Sequence, residues 1–189
     1  MANEVLVKNG TLLSFQSSVY SPTSTNDLTD ATPTVVDLTL DEGGTGLSDG
    51  AAVNSDQVDL GATRARRYSV MAALEWFAAV TAGKNVDFYW SPSQHSTVGT
   101  GNPGKPDGVD GAWSGDGGGT VDETVLQLQY IGSFITTDLV GVQIGYVGTF
   151  IPAARYGQLI VVNKSGTLLC GTDDIESSVL MTPLIDEVQ

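Results

Sequence analysis

An all-β fold of short strands is what this sequence predicts, and three observations carry the prediction. Residues 86–90, 125–134 and 142–150 are strand candidates, and in the first and last of them apolar side chains recur with the two-residue period of a strand. Shorter strand-like runs recur along the chain at regular spacing between turn signals. Glycine and proline punctuate the sequence, most densely over residues 92–122, where 12 of the 31 residues are one or the other and neither a helix nor a long strand is available.

Taken in order, residues 5–7 and 12–15 predict a small hairpin, with Asn9-Gly10 in its turn. Residues 17–32 are mostly Ser, Thr, Asn, Asp and Pro and predict a polar arm or loop. Val35, Val36, Leu38 and Leu40 read as a strand ended by Asp41-Glu42-Gly43-Gly44, and Val58 with Leu60 as another after a polar loop. Residues 68–80 fit two periods. Val70, Ala73, Leu74, Phe77 and Val80 share one helical face, whereas Tyr68, Val70, Ala72, Leu74 and Trp76 alternate. The strands on either side favour strand. Residues 86–90 place Val86, Phe88 and Trp90 on one face, and in residues 142–150 Val142, Ile144, Tyr146, Gly148 and Phe150 alternate with their neighbours. Residues 159–162 and 178–181 complete the set, giving a single β-sandwich domain over residues 1–189 with a long Gly-rich loop at 92–122.

Composition narrows the function. Eight basic and 22 acidic residues give a net charge of −14, which repels phosphate backbones and argues against nucleic acid as a partner. The longest apolar run, residues 70–80, is broken by Glu75 and is too short to cross a bilayer, and the first ten residues do not read as a signal peptide. With one cysteine, Cys170, neither an internal disulfide nor a cysteine-rich zinc site is expected, and assembly in the cytoplasm is the natural reading.

Few residues suggest chemistry. His95 is the only histidine, lies in a polar stretch, and has no Gly-x-Ser-x-Gly elbow to serve, so a solvated loop histidine is the better reading than a triad member. Glu75 and Asp87 are carboxylates on expected neighbouring strands, the arrangement glycosidases use, yet carboxylates are abundant here and chance pairs are expected. Asp107, Asp110, Asp116 and Asp122 offer hard oxygen ligands to Ca²⁺, but their spacing is not that of an EF-hand and a solvated acidic loop is expected. No catalytic residue, cofactor or metal is therefore predicted. Trp76 and Trp90 read as strand core, more simply than as a sugar-stacking platform with Tyr89 and Trp113. Trp113 sits on a glycine-rich loop with no local core, so it packs either on its own domain or in a partner. Arg64, Arg66 and Arg67 form the one basic cluster; ion pairs with the chain's own carboxylates are the simpler reading. With Trp113 they make up the candidate partner interface.

Several motifs carry a likeness. Gly61-Ala62-Thr63-Arg64-Ala65-Arg66-Arg67-Tyr68, Glu75-Trp76-Phe77 and Ala82-Gly83-Lys84-Asn85-Val86-Asp87-Phe88-Tyr89-Trp90-Ser91-Pro92-Ser93 are the first of them. Gly99-Thr100-Gly101-Asn102-Pro103-Gly104, Gly108-Val109-Asp110-Gly111 and Ala154-Arg155-Tyr156-Gly157 follow, with Val161-Val162-Asn163-Lys164-Ser165-Gly166 and Met181-Thr182-Pro183-Leu184. Over about residues 60–189 the chain resembles a group of small virion structural proteins of tailed bacteriophages. The resemblance implies a β-sandwich of jelly-roll type and supports strand for residues 68–80. It implies a virion protein, in first place a capsid decoration (cement) protein that stabilises the head shell, monomeric or trimeric. Its partners would be the major capsid protein and neighbouring copies of itself. The alternatives are a tail or baseplate component and a carbohydrate-binding adhesion module, with an enzyme last. Residues 17–32 and 92–122 have little apolar surface of their own, so they are expected to order against a partner, with Trp113 as anchor.

Overall fold

The computed structural model describes residues 5–29, 32–41 and 44–188. Parts of the predicted 17–32 arm, of the turn at 41–44 and of the two ends of the predicted domain lie outside them.

Among the described residues, twelve strands form two sheets. The first contains β1 (Val5–Asn9), β2 (Leu13–Gln16), β3 (Thr34–Asp37), β6 (Arg67–Trp76), β10 (Gly141–Phe150) and β12 (Ser178–Val188). Its order is β10-β6-β12-β2-β3, with β1 also on β12. The second contains β4 (Ala52–Asn54), β5 (Val58–Asp59), β7 (Asn85–Ser93), β8 (Gly111–Trp113), β9 (Gln129–Ile135) and β11 (Tyr156–Lys164). Its order is β8-β4-β11-β7-β9, with β5 also on β11. Every pair is antiparallel except β2 with β3.

The two sheets are the layers of a sandwich, because alternate residues of both enter one core. From the first sheet come Phe15, Tyr68, Val70, Ala72, Leu74, Trp76, Val179 and Met181. From the second come Val53, Val86, Phe88, Trp90, Leu159 and Val161. Aromatic contacts cross the gap: Trp76 to Phe134 at 5.9 Å between ring centroids, and Trp90 to Phe150 at 5.7 Å. Of residues 68–80, expected as strand, 68–76 are strand, as the alternation of Tyr68, Val70, Ala72, Leu74 and Trp76 predicts, while residues 77–80 lie outside it.

Expectations for several elements need correction. The strand expected over residues 125–134 begins only at Gln129, after a 3-10 turn at Val125–Gln127 that leaves Leu126 exposed. Residues 5–9 and 13–16 are strands but not a hairpin, since both lie antiparallel to β12 in succession. Gly10 does not take the left-handed backbone that an Asn-Gly turn requires, and its N–H donates to the Pro183 carbonyl, so the chain continues instead of reversing. Residues 52–54, expected as loop, are the fully buried strand β4. The 92–122 segment is not free of structure. It supplies β8, and it ends in one helical turn, Val121–Thr124, closed by a capping box in which Thr120 and Glu123 bond reciprocally. Finally, β10 does not alternate throughout. A bulge between Tyr146 and Gly148 turns Val147 and Phe150 to the core and leaves Ile144 and Tyr146 exposed.

Both low-apolar segments order on their own domain, against the expectation that a partner must order them. In the first, the Ser21 N–H donates to the Ile175 carbonyl, Glu176 accepts from the Thr23 N–H and Asn26 Nδ2, and Ser178 Oγ donates to the Tyr20 hydroxyl. In the second, Ser91 and Ser93 donate to the carbonyls of Pro103 and Thr100, while Asp110 accepts both the Thr39 N–H and hydroxyl at 2.7 and 2.6 Å. Polar bonds do the ordering that burial was expected to do.

Candidate functional site

The candidate interface residues separate into two places. Trp113 closes β8 and is buried on the outer face of the second sheet, 5 % exposed, among Ala52, Tyr89, Val125, Leu128, Ile160 and Val162. Its indole N–H donates to the Gly104 carbonyl at 3.1 Å. Of the two settings open to Trp113, the structure takes packing on its own domain, which corrects its assignment to a partner interface. None of the residues packed on it belongs to the arginine loop.

That loop, residues 60–66, links β5 in the second sheet to β6 in the first. Both its ends are pinned. At the first, Asp59 accepts a two-pronged ion pair from Arg155, 2.7 Å on each prong, and also the Gly61 N–H. The Arg155 guanidinium bond holds the Asp59 carboxyl below the usual range. The same guanidinium lies 5.0 Å over the Tyr156 ring. At the other end Arg67 pairs with Asp186 at 3.1 Å and enters β6 opposite Leu184. Arg64 and Arg66 between these pins are exposed and make no ion pair among the described residues. The expected set of ion pairs therefore holds for Arg67 alone.

Two shallow clefts flank these two arginines. One of about 290 Å³ runs along Gly10, Leu13, Leu60, Arg64, Tyr68 and Ile185. Burial pushes the Tyr68 hydroxyl above its usual range, opposed by the Ala65 amide and the Arg64 guanidinium. The other, about 240 Å³, lies between Arg64, Arg66, Ile151 and Pro152. Two unpaired guanidinium forks at shallow clefts suit carboxylates presented by a partner, since each fork can bind one bidentately.

The remaining candidates are not assembled into a site. Glu75 and Asp87 point from the outer faces of opposite sheets, so the two-carboxylate arrangement does not form. Glu75 is pushed up to about 7 by burial and by Glu176 and Asp173 nearby. Asp87 is tied to Asn85, Ser133 and Lys164. His95 is exposed on its loop. Asp116 pairs with Lys105, Asp122 with Lys164, Asp110 with Thr39, and Asp107 accepts the Val109 N–H. Among the described residues no group of three or more His, Cys, Asp or Glu is placed to hold a metal ion, and no helix is long and apolar enough to cross a membrane. Trp76 and Trp90 are fully buried core residues.

Comparison with protein-family models, with curated proteins and with solved structures finds no match to this chain.

Proposed function

We propose that this chain is a structural protein of a tailed-bacteriophage particle, acting as a head decoration (cement) protein that contacts the major capsid protein and neighbouring copies of itself. The observation that carries the reading is the order of strand partners. Among the eight principal strands β2, β4, β6, β7, β9, β10, β11 and β12, the first pairs with the eighth, the second with the seventh, the third with the sixth and the fourth with the fifth. One long two-stranded ribbon folded across two sheets yields these pairs, which supports a jelly roll, an architecture of viral capsid and lectin domains. The motifs that resemble small virion proteins support the same reading. So does the arginine loop, whose exposed Arg64 and Arg66 set two docking charges for an acidic capsid surface side by side on a chain of net charge −14.

Copy number per particle tests it. Quantitative mass spectrometry of purified virions is expected to find the chain in hundreds of copies. A count of a few dozen or fewer moves it to the tail or baseplate, and its absence from particles ends the virion reading. Binding of recombinant protein to particles stripped of it is expected to weaken in an Arg64→Glu, Arg66→Glu double variant, most at low salt.

A further inference from the structure

On a chain with 22 acidic residues against eight basic ones, a cation without a carboxylate is the exception to explain. Among the described side chains, Arg67, Lys105, Arg155 and Lys164 each hold a carboxylate, whereas Arg64, Arg66 and Lys84 hold none. Of these three, Arg64 lines both shallow clefts beside the 60–66 loop. The larger cleft, about 290 Å³, has one carboxylate in its lining, Asp59, and Arg155 already neutralises it through both oxygens. The charge left free in the cleft is therefore the Arg64 guanidinium. Part of the lining is apolar. Leu13, Leu60 and Ala65 are half-buried against the core and form the floor, and Ile185 beside them is 44 % exposed. A guanidinium next to exposed aliphatic surface suits a group that is acidic at one point and apolar at the next.

We propose that this cleft seats an acidic segment of a partner protein, which sets a carboxylate on Arg64 and an aliphatic side chain against Leu13, Leu60 and Ile185. Charge complementarity selects the acid, as it does where arginine clusters recognise acidic motifs. Shape selects a protein segment over a free small acid. Ligand pockets begin at about 300 Å³ and enclose most of what they bind. This cleft is no larger than that and is shallow, so a small acid would stay largely in water. An extended segment that crosses Arg64 also reaches the second cleft, where Arg66, Ile151 and Pro152 add contact. The inference rests on the docking role given to the arginine loop and names the chemistry of what docks. Its test needs no particle. Particles that lack the chain would remove the virion reading and leave this one standing, and a cleft indifferent to acidic peptides would remove this one alone.

Titration of the isotope-labelled full chain with two blocked pentapeptides, followed by amide NMR spectra, is the test. One peptide alternates glutamate with leucine, and the other alternates glutamine with leucine. The glutamate peptide is expected to shift the amides of Gly10, Leu13, Leu60 and Ile185, to bind about tenfold more tightly than the glutamine one, and to weaken with added sodium chloride. Arg64→Gln, on the exposed loop, is expected to bring the two peptides level, and Ile185→Ser to weaken both. Lys84→Gln, which removes a charge outside both clefts, is expected to change neither. Equal binding of the two peptides to the parent chain overturns the proposal, as do shifts confined to other surfaces, or no shift at several millimolar. Loss of binding in Lys84→Gln equal to that in Arg64→Gln overturns it too, since net charge alone would then govern. Binding of 4-methylpentanoate as tight as that of the glutamate peptide would give the cleft to a small acid. Shifts of the cleft amides on dilution of the free chain, abolished by Arg64→Gln, would give it to a second copy. Either result overturns the proposal.

Discussion

Trp113→Ala is expected to lower the stability of the domain by about 3 kcal/mol, the usual loss when a buried aromatic side chain leaves a cavity, read as a shift in the urea midpoint. An unchanged midpoint would return Trp113 to the interface role from which its burial removes it. Its setting was hard to read because the walls of its pocket come from β4, β7 and β11 and from Val125 and Leu128, far apart in sequence. A two-residue period reveals that Ile160 and Val162 share a face; it does not reveal what covers that face. Glu75 makes a second prediction at this scale. Its carboxyl lies near 7 in the folded chain against an ordinary 4.5, so the folded state holds the proton more tightly than the unfolded one. The group's contribution is complete below about pH 4.5, is lost as pH rises through 7, and leaves a penalty above that. Glu75→Gln is expected to stabilise the protein at about pH 8 by roughly 1 kcal/mol, a figure reduced because solvent still reaches the group, and to change little at about pH 4. Urea titrations of both proteins at the two pH values check it, and a pH dependence that survives in the glutamine variant would clear Glu75 of the effect.

Strands with a clear alternation were legible as elements, and their inward faces with them: Val86, Phe88 and Trp90 face the core as their spacing requires. Residues 52–54 were not, because three residues are too few to show a period and their neighbours are Gly, Ser and Asp. The bulge in β10 was invisible for a related reason. Val142, Ile144, Tyr146, Gly148 and Phe150 keep one phase on paper, and only the slipped register against β6 shows that the phase changes after Tyr146. That bulge lies where the backbones of β9 and β10 meet, a Cβ on Gly132 overlapping the Val147 carbonyl, and this gives a prediction for the two strands. Gly148→Ala sets a methyl group against the Ile131 carbonyl, a backbone atom that cannot swing aside, so β9 and β10 must separate. The expected loss is about 1–3 kcal/mol in thermal or urea unfolding. Gly166→Ala, at a left-handed turn with nothing within 4 Å, tests backbone strain without overlap. A Gly148→Ala protein that melts with the parent would show that the two edges are free to part.

At the scale of the molecule, composition told more than pattern did. All-β class, acidity and scarcity of histidine and cysteine were plain in the sequence, whereas pairing of strands from the two ends of the chain depends on contacts that no local period records. The charge excess also governs stability. The ion pairs among the described side chains, Arg67 with Asp186, Lys105 with Asp116, Arg155 with Asp59 and Lys164 with Asp87 and Asp122, lie mostly at the surface, where such pairs add about 1 kcal/mol or less each. Against them stand 22 acidic residues and only eight basic ones. Repulsion among the surplus carboxylates opposes the compact state and is screened once the Debye length falls to about 8 Å near 0.15 M salt. Sodium chloride is therefore expected to raise the melting temperature at neutral pH, by about 2–4 °C for each kcal/mol of repulsion removed. Chloride is the useful anion, since sulfate would stabilise by exclusion from the surface whatever the charge. Dilute protein keeps self-association out of the measurement. Near pH 4.1, the isoelectric point expected from the sequence, the excess has been titrated away and salt should shift the transition little. A melting temperature that falls with salt at neutral pH would mean that the few ion pairs outweigh the repulsion, and the acidic surplus would then have to be held in arrangements that cost the fold nothing.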